Sequence, residues 1–304
     1  MESMVEGFHT PVLLNVFNRP EETAMVLTAL KRIEPPVLYV HCDGPRAGNE
    51  GDTSNVQKVQ SLIEETVTWD CELKKKYERS NLGCGKGPAA SMSWFFSNVE
   101  EGIILEDDCC PHPDFFMYCQ ELLERYRDDE RVAIISGTNF ERNVDERFSY
   151  RFSAYAGIWG WATWRRTWNF FDFDFSKSDK DFRKRVLPFT ESRQAVRYWL
   201  GILHRCIADG HNRTYWDYQL HLGLLYANKI HILPNTNLVT NIGFNEKATH
   251  TRNGNSSYAN KAAAGILPLR HPAETAIDHV SDNRPYEIPF EKRLKRFVKR
   301  LIRR

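Results

Sequence analysis

The chain has 304 residues, 41% of them apolar and 27% charged, with a formal net charge of +1. This is room for one large or two small domains with a sizeable core, and the composition predicts a soluble protein. No apolar run approaches ~18 residues and residues 1–10 lack a basic, apolar leader, which argues against a membrane-spanning helix and a secretory signal.

In chain order, residues 11–17 are a short apolar, β-prone run, predicted as a first strand. Asn18-Arg19-Pro20 breaks it, and Pro20, Glu21 and Glu22 then open a helix with proline and acids in its first turn. Met25, Val26, Ala29, Leu30 and Ile33 follow at helical spacing, and Pro35-Pro36 stops them. Residues 37–41 predict a second strand, ending in the turn Cys42-Asp43-Gly44-Pro45-Arg46. A second helix is predicted over 56–67, with Val56, Val59, Leu62 and Ile63 on one face, and a third short strand near 66–73. This alternation predicts a parallel sheet flanked by helices.

Residues 81–88, Asn-Leu-Gly-Cys-Gly-Lys-Gly-Pro, form a glycine-rich loop that opens a helix over 89–99. Such a loop can receive a phosphate through backbone N–H groups, with Lys86 beside it, although neither the Walker A nor the dinucleotide spacing is present. Taken on its own, the stretch reads first as a plain flexible loop. Next comes Ile103-Ile104-Leu105-Glu106-Asp107-Asp108, an apolar run that ends in three carboxylates. Adjacent like charges require compensation, and a divalent cation with oxygen ligands would supply it. Taken alone, the hexapeptide fits an acidic turn as well as a metal site. Residues 115–126 predict a helix. Residues 131–136 predict a strand that closes the sheet on the far side of the acids.

Twelve of the 28 residues over 148–175 are aromatic, including Trp159, Trp161, Trp164 and Trp168, which suits a second core layer or a wall for sugar rings. Residues 176–187 are charged, loop-like or helical. Helices are predicted over 192–208 and 214–228, and short strands over 230–234 and 237–244. Residues 259–289 hold four prolines and no clear period, and are read as a wrapping or linking segment. The seven cysteines are odd in number and lack C-x-x-C spacing, and Cys109 and Cys110 are adjacent. This predicts free thiols in a reducing compartment.

These stretches together resemble the GT-A fold nucleotide-diphospho-sugar glycosyltransferases, and within them the N-acetylglucosaminyltransferase I type. The most specific part is Glu106-Asp107-Asp108 followed by Pro113-Asp114-Phe115-Phe116-Met117-Tyr118. The likeness runs along most of 11–252. It implies a Rossmann-like, mostly parallel α/β sheet, with a nucleotide-sugar-binding half at about 10–140 and an acceptor-binding half at 141–252. It further implies that Arg19 and Asp43 bind the nucleotide, that Asp108 ligates Mn²⁺ or Mg²⁺, and that Asp107 lies by the ribose with Glu106 in support. The family's general base sits in a W-D-D-W run. Here the run is Trp216-Asp217-Tyr218, which lacks the second acid, so the role falls to Asp217. His250 is implied as a further metal ligand. Lys86 and Arg252 would add cationic stabilisation, and Trp161 and Trp216 would line the acceptor side.

The implied activity is metal-dependent and inverting: transfer from a sugar nucleotide, UDP-linked by preference, to a glycan or glycolipid. Carboxylates are hard donors that suit Mg²⁺ or Mn²⁺. The competing class is a non-catalytic sugar-nucleotide or glycan-binding module. A nucleotidyltransferase would need a glycine-rich loop directly after the first strand, where Asn18-Arg19-Pro20 stands. The last fifteen residues hold eight Lys or Arg and one Glu, leaving 33 basic and 39 acidic residues before them. Phe290, Leu294, Phe297, Val298, Leu301 and Ile302 share one helical face there. This predicts a basic amphipathic helix on an anionic membrane surface, and a cytoplasmic protein held at the inner face, with no nucleic-acid partner.

Overall fold

A computed structural model describes residues 7–140, 147–244 and 261–286. Strand β1 (Val12–Val16) is fully buried and feeds α1 (Pro20–Ile33), whose proline start and acidic first turn are those of the sequence. Strand β2 (Val37–Cys42) leads to α2 (Glu50–Thr66), which begins six residues before the apolar spacing does. Asn49 caps it by accepting from Asp52 N, so its first turn is held by a cap and exposed polar residues that hydrophobic periodicity cannot register. Strand β3 (Glu72–Tyr77) lies further on than expected. It is a lysine-rich edge strand, and charge at an edge discourages pairing with another chain.

The glycine-rich stretch is itself helical: α3 (Gly83–Asn98) contains it as its first turn. Strand β4 (Glu101–Glu106) delivers the acids, and β5 (Cys109–Pro111) follows at once, unforeseen because it is three residues long. Helix α4 (Asp114–Arg125) and strand β6 (Val132–Ser136) match expectation in type and place. The aromatic region holds β7 (Tyr150–Ser153), β8 (Trp161–Trp164) and the short α5 (Arg165–Trp168). Helices α6 (Asp179–Thr190), α7 (Arg193–Asp209) and α8 (Asp217–Tyr226) come next. They precede β9 (Ile230–Pro234), β10 (Val239–Asn241) and α9 (His279–Asn283).

Eight strands form one mixed, mostly parallel sheet in the order β3-β2-β1-β4-β8-β6-β9-β7, and β10 pairs antiparallel with β5 in a second, two-stranded sheet. Strand β6 therefore does not close the sheet beside the acids. The antiparallel β8 inserts between β4 and β6, and β9 and β7 lie beyond. Alternate side chains go to opposite faces. Leu14, Val40, Ile103 and Leu105 join the helices α1, α2 and α4 in one core, while Leu13, Tyr39 and Ile104 join α3 and α8 in another. The chain runs β1, β2, β3 outward in one direction and returns through α3 to β4 on the other side of β1. The strand order thus reverses between β1 and β4, and in open α/β sheets ligands bind at the carboxyl ends of such a pair.

The described part of the segment after the strands, 261–286, is fastened to the domain at two points. Asp282 accepts from Arg151 Nη1, Ser153 Oγ and Ala154 N, each at 2.6 Å, and Asp114 Oδ2 accepts from Ile266 N and Leu267 N. All seven cysteines are free thiols, and no helix among the described residues is long and apolar enough to cross a membrane.

Candidate functional site

At the β1/β4 crevice the two strand ends are tied together. Asp107 Oδ2 accepts from Phe17 N at 3.2 Å, and Arg19 Nη1 reaches Asp107 Oδ1 at 3.3 Å and Asp108 Oδ2 at 2.7 Å. Arg19 holds its place because its backbone starts α1: its carbonyl accepts from Thr23 N and Thr23 Oγ1. The loop before it is braced by Asp52, which accepts from Asn18 Nδ2 at 2.7 Å and twice from the Arg46 guanidinium. That guanidinium pulls the Asp52 carboxyl down to about 2.

Burial is the main influence on the acids themselves. It pushes Glu106 up, helped by Asp108, Asp107 and Asp217 and opposed by Arg19. It pushes Asp107 up too, reinforced by Asp108 and opposed by Arg19 and the Phe17 N–H. Three carboxyl groups share one guanidinium in a desolvated crevice, so two of them are held toward their protonated forms unless further positive charge arrives. A hard divalent cation fits that donor chemistry. Among the described residues no three His, Cys, Asp or Glu side chains converge as a ready-made cage. The fit is therefore to a cation held by one or two carboxylates and completed by phosphate oxygens and water, as Mg²⁺ commonly is.

Behind Asp108 lies a contact the sequence did not signal. Strand β10 backs the acids: Ile242 N donates to Asp108 O at 2.8 Å, and a Cβ on Gly243 would fall 2.0 Å from Asp108 Oδ2. Only glycine allows this approach.

Asp43 ends β2 and turns to α3. Its Oδ1 accepts from Gly44 N and Leu82 N, both at 2.8 Å, and its Oδ2 from Asn81 Nδ2 at 3.0 Å and Gly83 N at 3.2 Å. The anion at the start of α3 is thus the Asp43 carboxylate, in the place where the sequence allowed a phosphate. Burial pushes its pKa up against the backbone donors Leu82, Gly44 and Gly83. Gly87 gives Asp43 room, and Gly85 lies on the Arg213 backbone, so two of the glycines serve close packing. Lys86 between them is exposed.

Asp217 is the first residue of α8 and lies close enough to act on Glu106, Cys84 and Cys206 electrostatically. The later half of the chain thereby brings one carboxylate toward the strand-end acids. Trp161 and Trp216 correct an expectation. They stack on each other at 6.1 Å, 1% and 6% exposed, within the core shared with α3 and α8, and so present no free face to a sugar. His250 and Arg252 lie outside the described residues, as does the basic tail at 290–304.

No protein-family model matches the sequence, and no curated protein sequence matches it. Among the solved structures similar to it over part of the chain are three sugar-nucleotide or related nucleotidyl enzymes. A 4-diphosphocytidyl-2C-methyl-D-erythritol synthase from Anaerococcus prevotii is 8% identical over 53% of this chain and 74% of its own, with a TM-score of 0.34. A UDP-glucose pyrophosphorylase complexed with UDP-glucose is 9% identical over 53% and 78%, with a TM-score of 0.33. A glucose-1-phosphate thymidylyltransferase from Bacillus anthracis, in complex with sucrose, is 10% identical over 57% and 77%, with a TM-score of 0.33. The likeness is one of sheet-and-helix arrangement alone.

Proposed function

We propose that the chain is a GT-A type glycosyltransferase. It moves a sugar from a nucleotide-diphospho-sugar, UDP-linked by preference, to a glycan or glycolipid, with inversion and with a divalent cation. The observation that carries this reading is the pairing of Arg19 with Asp107 and Asp108 at the strand-reversal point, with Asp217 acting on Glu106 from the other half of the chain.

In this reading the donor diphosphate lies along the β1/β4 crevice. Mn²⁺ or Mg²⁺ on Asp108 would supply Lewis-acid neutralisation of the leaving diphosphate. Arg19 adds a fixed positive charge on the same side, and Asp107 holds Arg19 and the end of β1 in register. Asp43 positions the start of α3 beside the nucleoside. Asp217 takes the proton of the attacking hydroxyl, a step worth roughly 10²–10⁴ in rate. His250, Arg252 and Lys86 are proposed auxiliaries. Residues 290–304 are the proposed contact with an anionic membrane surface, which would place the protein at a cytoplasmic face.

A second reading has its own support: Arg19 already neutralises Asp108 at 2.7 Å, which suits a binding module that holds sugar nucleotides without metal or turnover. Donor hydrolysis and transfer assays separate the two. The first reading expects turnover that EDTA abolishes and Mn²⁺ restores, and a loss of at least about 100-fold in Asp108→Ala with folding retained. Full turnover in Asp108→Ala sinks it. Donor binding without turnover in the native chain selects the second.

A further inference from the structure

Three aromatic rings gather one residue away from the acid cluster. Phe244 follows Gly243, which rests on the Asp108 carboxylate. Trp159 meets Phe244 with ring centres 5.5 Å apart and planes at 82°, and meets Phe140 at 5.2 Å and 86°. Both phenyl rings thus stand nearly perpendicular to the indole. Trp159 and Phe244 are half-buried and Phe140 is 41% exposed, so the group is rooted in the core yet reaches solvent.

The local backbone explains why Trp159 is here and Trp161 is not. In an unbroken strand residues two apart share a face. Gly160 has φ +67°, a conformation that disfavours side chains, and it breaks the alternation. Trp161 then packs with α3 and α8, while Trp159 packs against the opposite core.

A second observation points to a ligand. The Thr138 hydroxyl is buried and has no hydrogen-bond partner among the described residues. It belongs to the same corner: a Cβ on Gly157 would lie 2.5 Å from Thr138 Oγ1 and 3.9 Å from the Phe140 ring. An unsatisfied buried hydroxyl is costly.

We infer that Phe140, Trp159 and Phe244 form a seat for a pyranose ring, with the buried Thr138 hydroxyl in the same corner beneath it in no direct contact with solvent. A pyranose offers C–H bonds on one face, which suits an aromatic surface. This deepens the proposed function, and rests on it for the position of the diphosphate at Asp108. The ring is either the donor's sugar or a sugar of the acceptor, and the test separates them.

Tryptophan fluorescence and calorimetric titrations would be run with Mn²⁺ on the native chain, Trp159→Ala, Trp159→Phe and Phe140→Ala. The probes are UDP, UDP-glucose, UDP-galactose, UDP-N-acetylglucosamine and the N-acetylglucosamine trisaccharide. For a donor seat, at least one UDP-sugar binds the native chain more tightly than UDP. Trp159→Ala removes about tenfold of that advantage and leaves UDP itself within about twofold, and Trp159→Phe keeps most of it. For an acceptor seat, the loss is confined to the trisaccharide. Phe140 is exposed, so Phe140→Ala carries the test should Trp159→Ala fail to fold, with a loss of about threefold expected. If no nucleotide binds but the trisaccharide does so in a Trp159-dependent way, the glycosyltransferase reading falls and the seat stands. Sugar affinities unchanged in both alanine variants, or no sugar-dependent binding at all, overturn the seat.

Discussion

At the scale of single residues, the crevice is defined by how few atoms separate its parts. Asp107 and Asp108 share one guanidinium, and Gly243 closes on Asp108 from behind. A methyl group at Gly243 must displace the carboxylate or the β10 backbone. Gly243→Ala is therefore expected to lose about 1–3 kcal/mol of stability and most Mn²⁺-dependent donor binding, read by denaturant titration and calorimetry. The acids and Arg19 were legible in the sequence as residue types at strand ends. Gly243 was not, because a glycine 135 positions beyond Asp108 carries no pattern until β10 pairs with β5.

Among elements, the segment that returns across the sheet has the clearest energetic claim. Asp282 is buried, takes three donors, and is the partner of Arg151, which is itself largely buried. Removing it would leave a desolvated guanidinium and two unpaired donors. Asp282→Ala is expected to cost about 3–5 kcal/mol and to open residues 261–286 to protease, measured by urea unfolding and limited proteolysis. A variant that keeps native stability and resistance would show that the segment is only laid on the surface. The sequence read this stretch as wrapping from its prolines and missing period. It could not name the clamp, because the partners Arg151 and Asp282 are far apart along the chain. Helices α1, α4 and α7 were legible from apolar spacing. Strand β8 was not, since its position between β4 and β6 depends on antiparallel pairing with both.

For the whole molecule, buried histidines and the buried acids of the crevice both shape the pH dependence, with opposite signs. His231 in β9 is pushed well below its usual pKa, first by burial and then by His221, and burial lowers His41 as well. Both are neutral in the folded chain at pH values where an unfolded histidine, with pKa near ~6.5, binds a proton. At these two sites the unfolded state then holds more protons, so their share of the stability falls as pH drops below about 6.5, by up to ~1.4 kcal/mol per pH unit for each group, while Glu106 and Asp107, pushed up by burial, contribute the opposite slope as pH rises toward neutrality. Urea midpoints at unit pH steps from 5 to 8, compared between the native chain and His231→Gln, isolate the histidine share, and the variant's slope below pH 6.5 should differ from the native slope by about one proton. An unchanged slope in that variant would assign the acid sensitivity elsewhere.

By itself the sequence determined the alternation of strands and helices in the first half and the acids at the end of β4. The physical reason is that apolar periodicity, proline stops and charge are local properties. What only the tertiary structure decided was which distant residues meet. It gave Asp43 to the start of α3, put Gly243 against Asp108, and brought Asp217 close enough to act on Glu106 electrostatically. It also decided between the tryptophans. Trp161 and Trp216 are core, and Trp159 reaches the neighbourhood of the acids, because one left-handed glycine turns the chain between two residues of the same type.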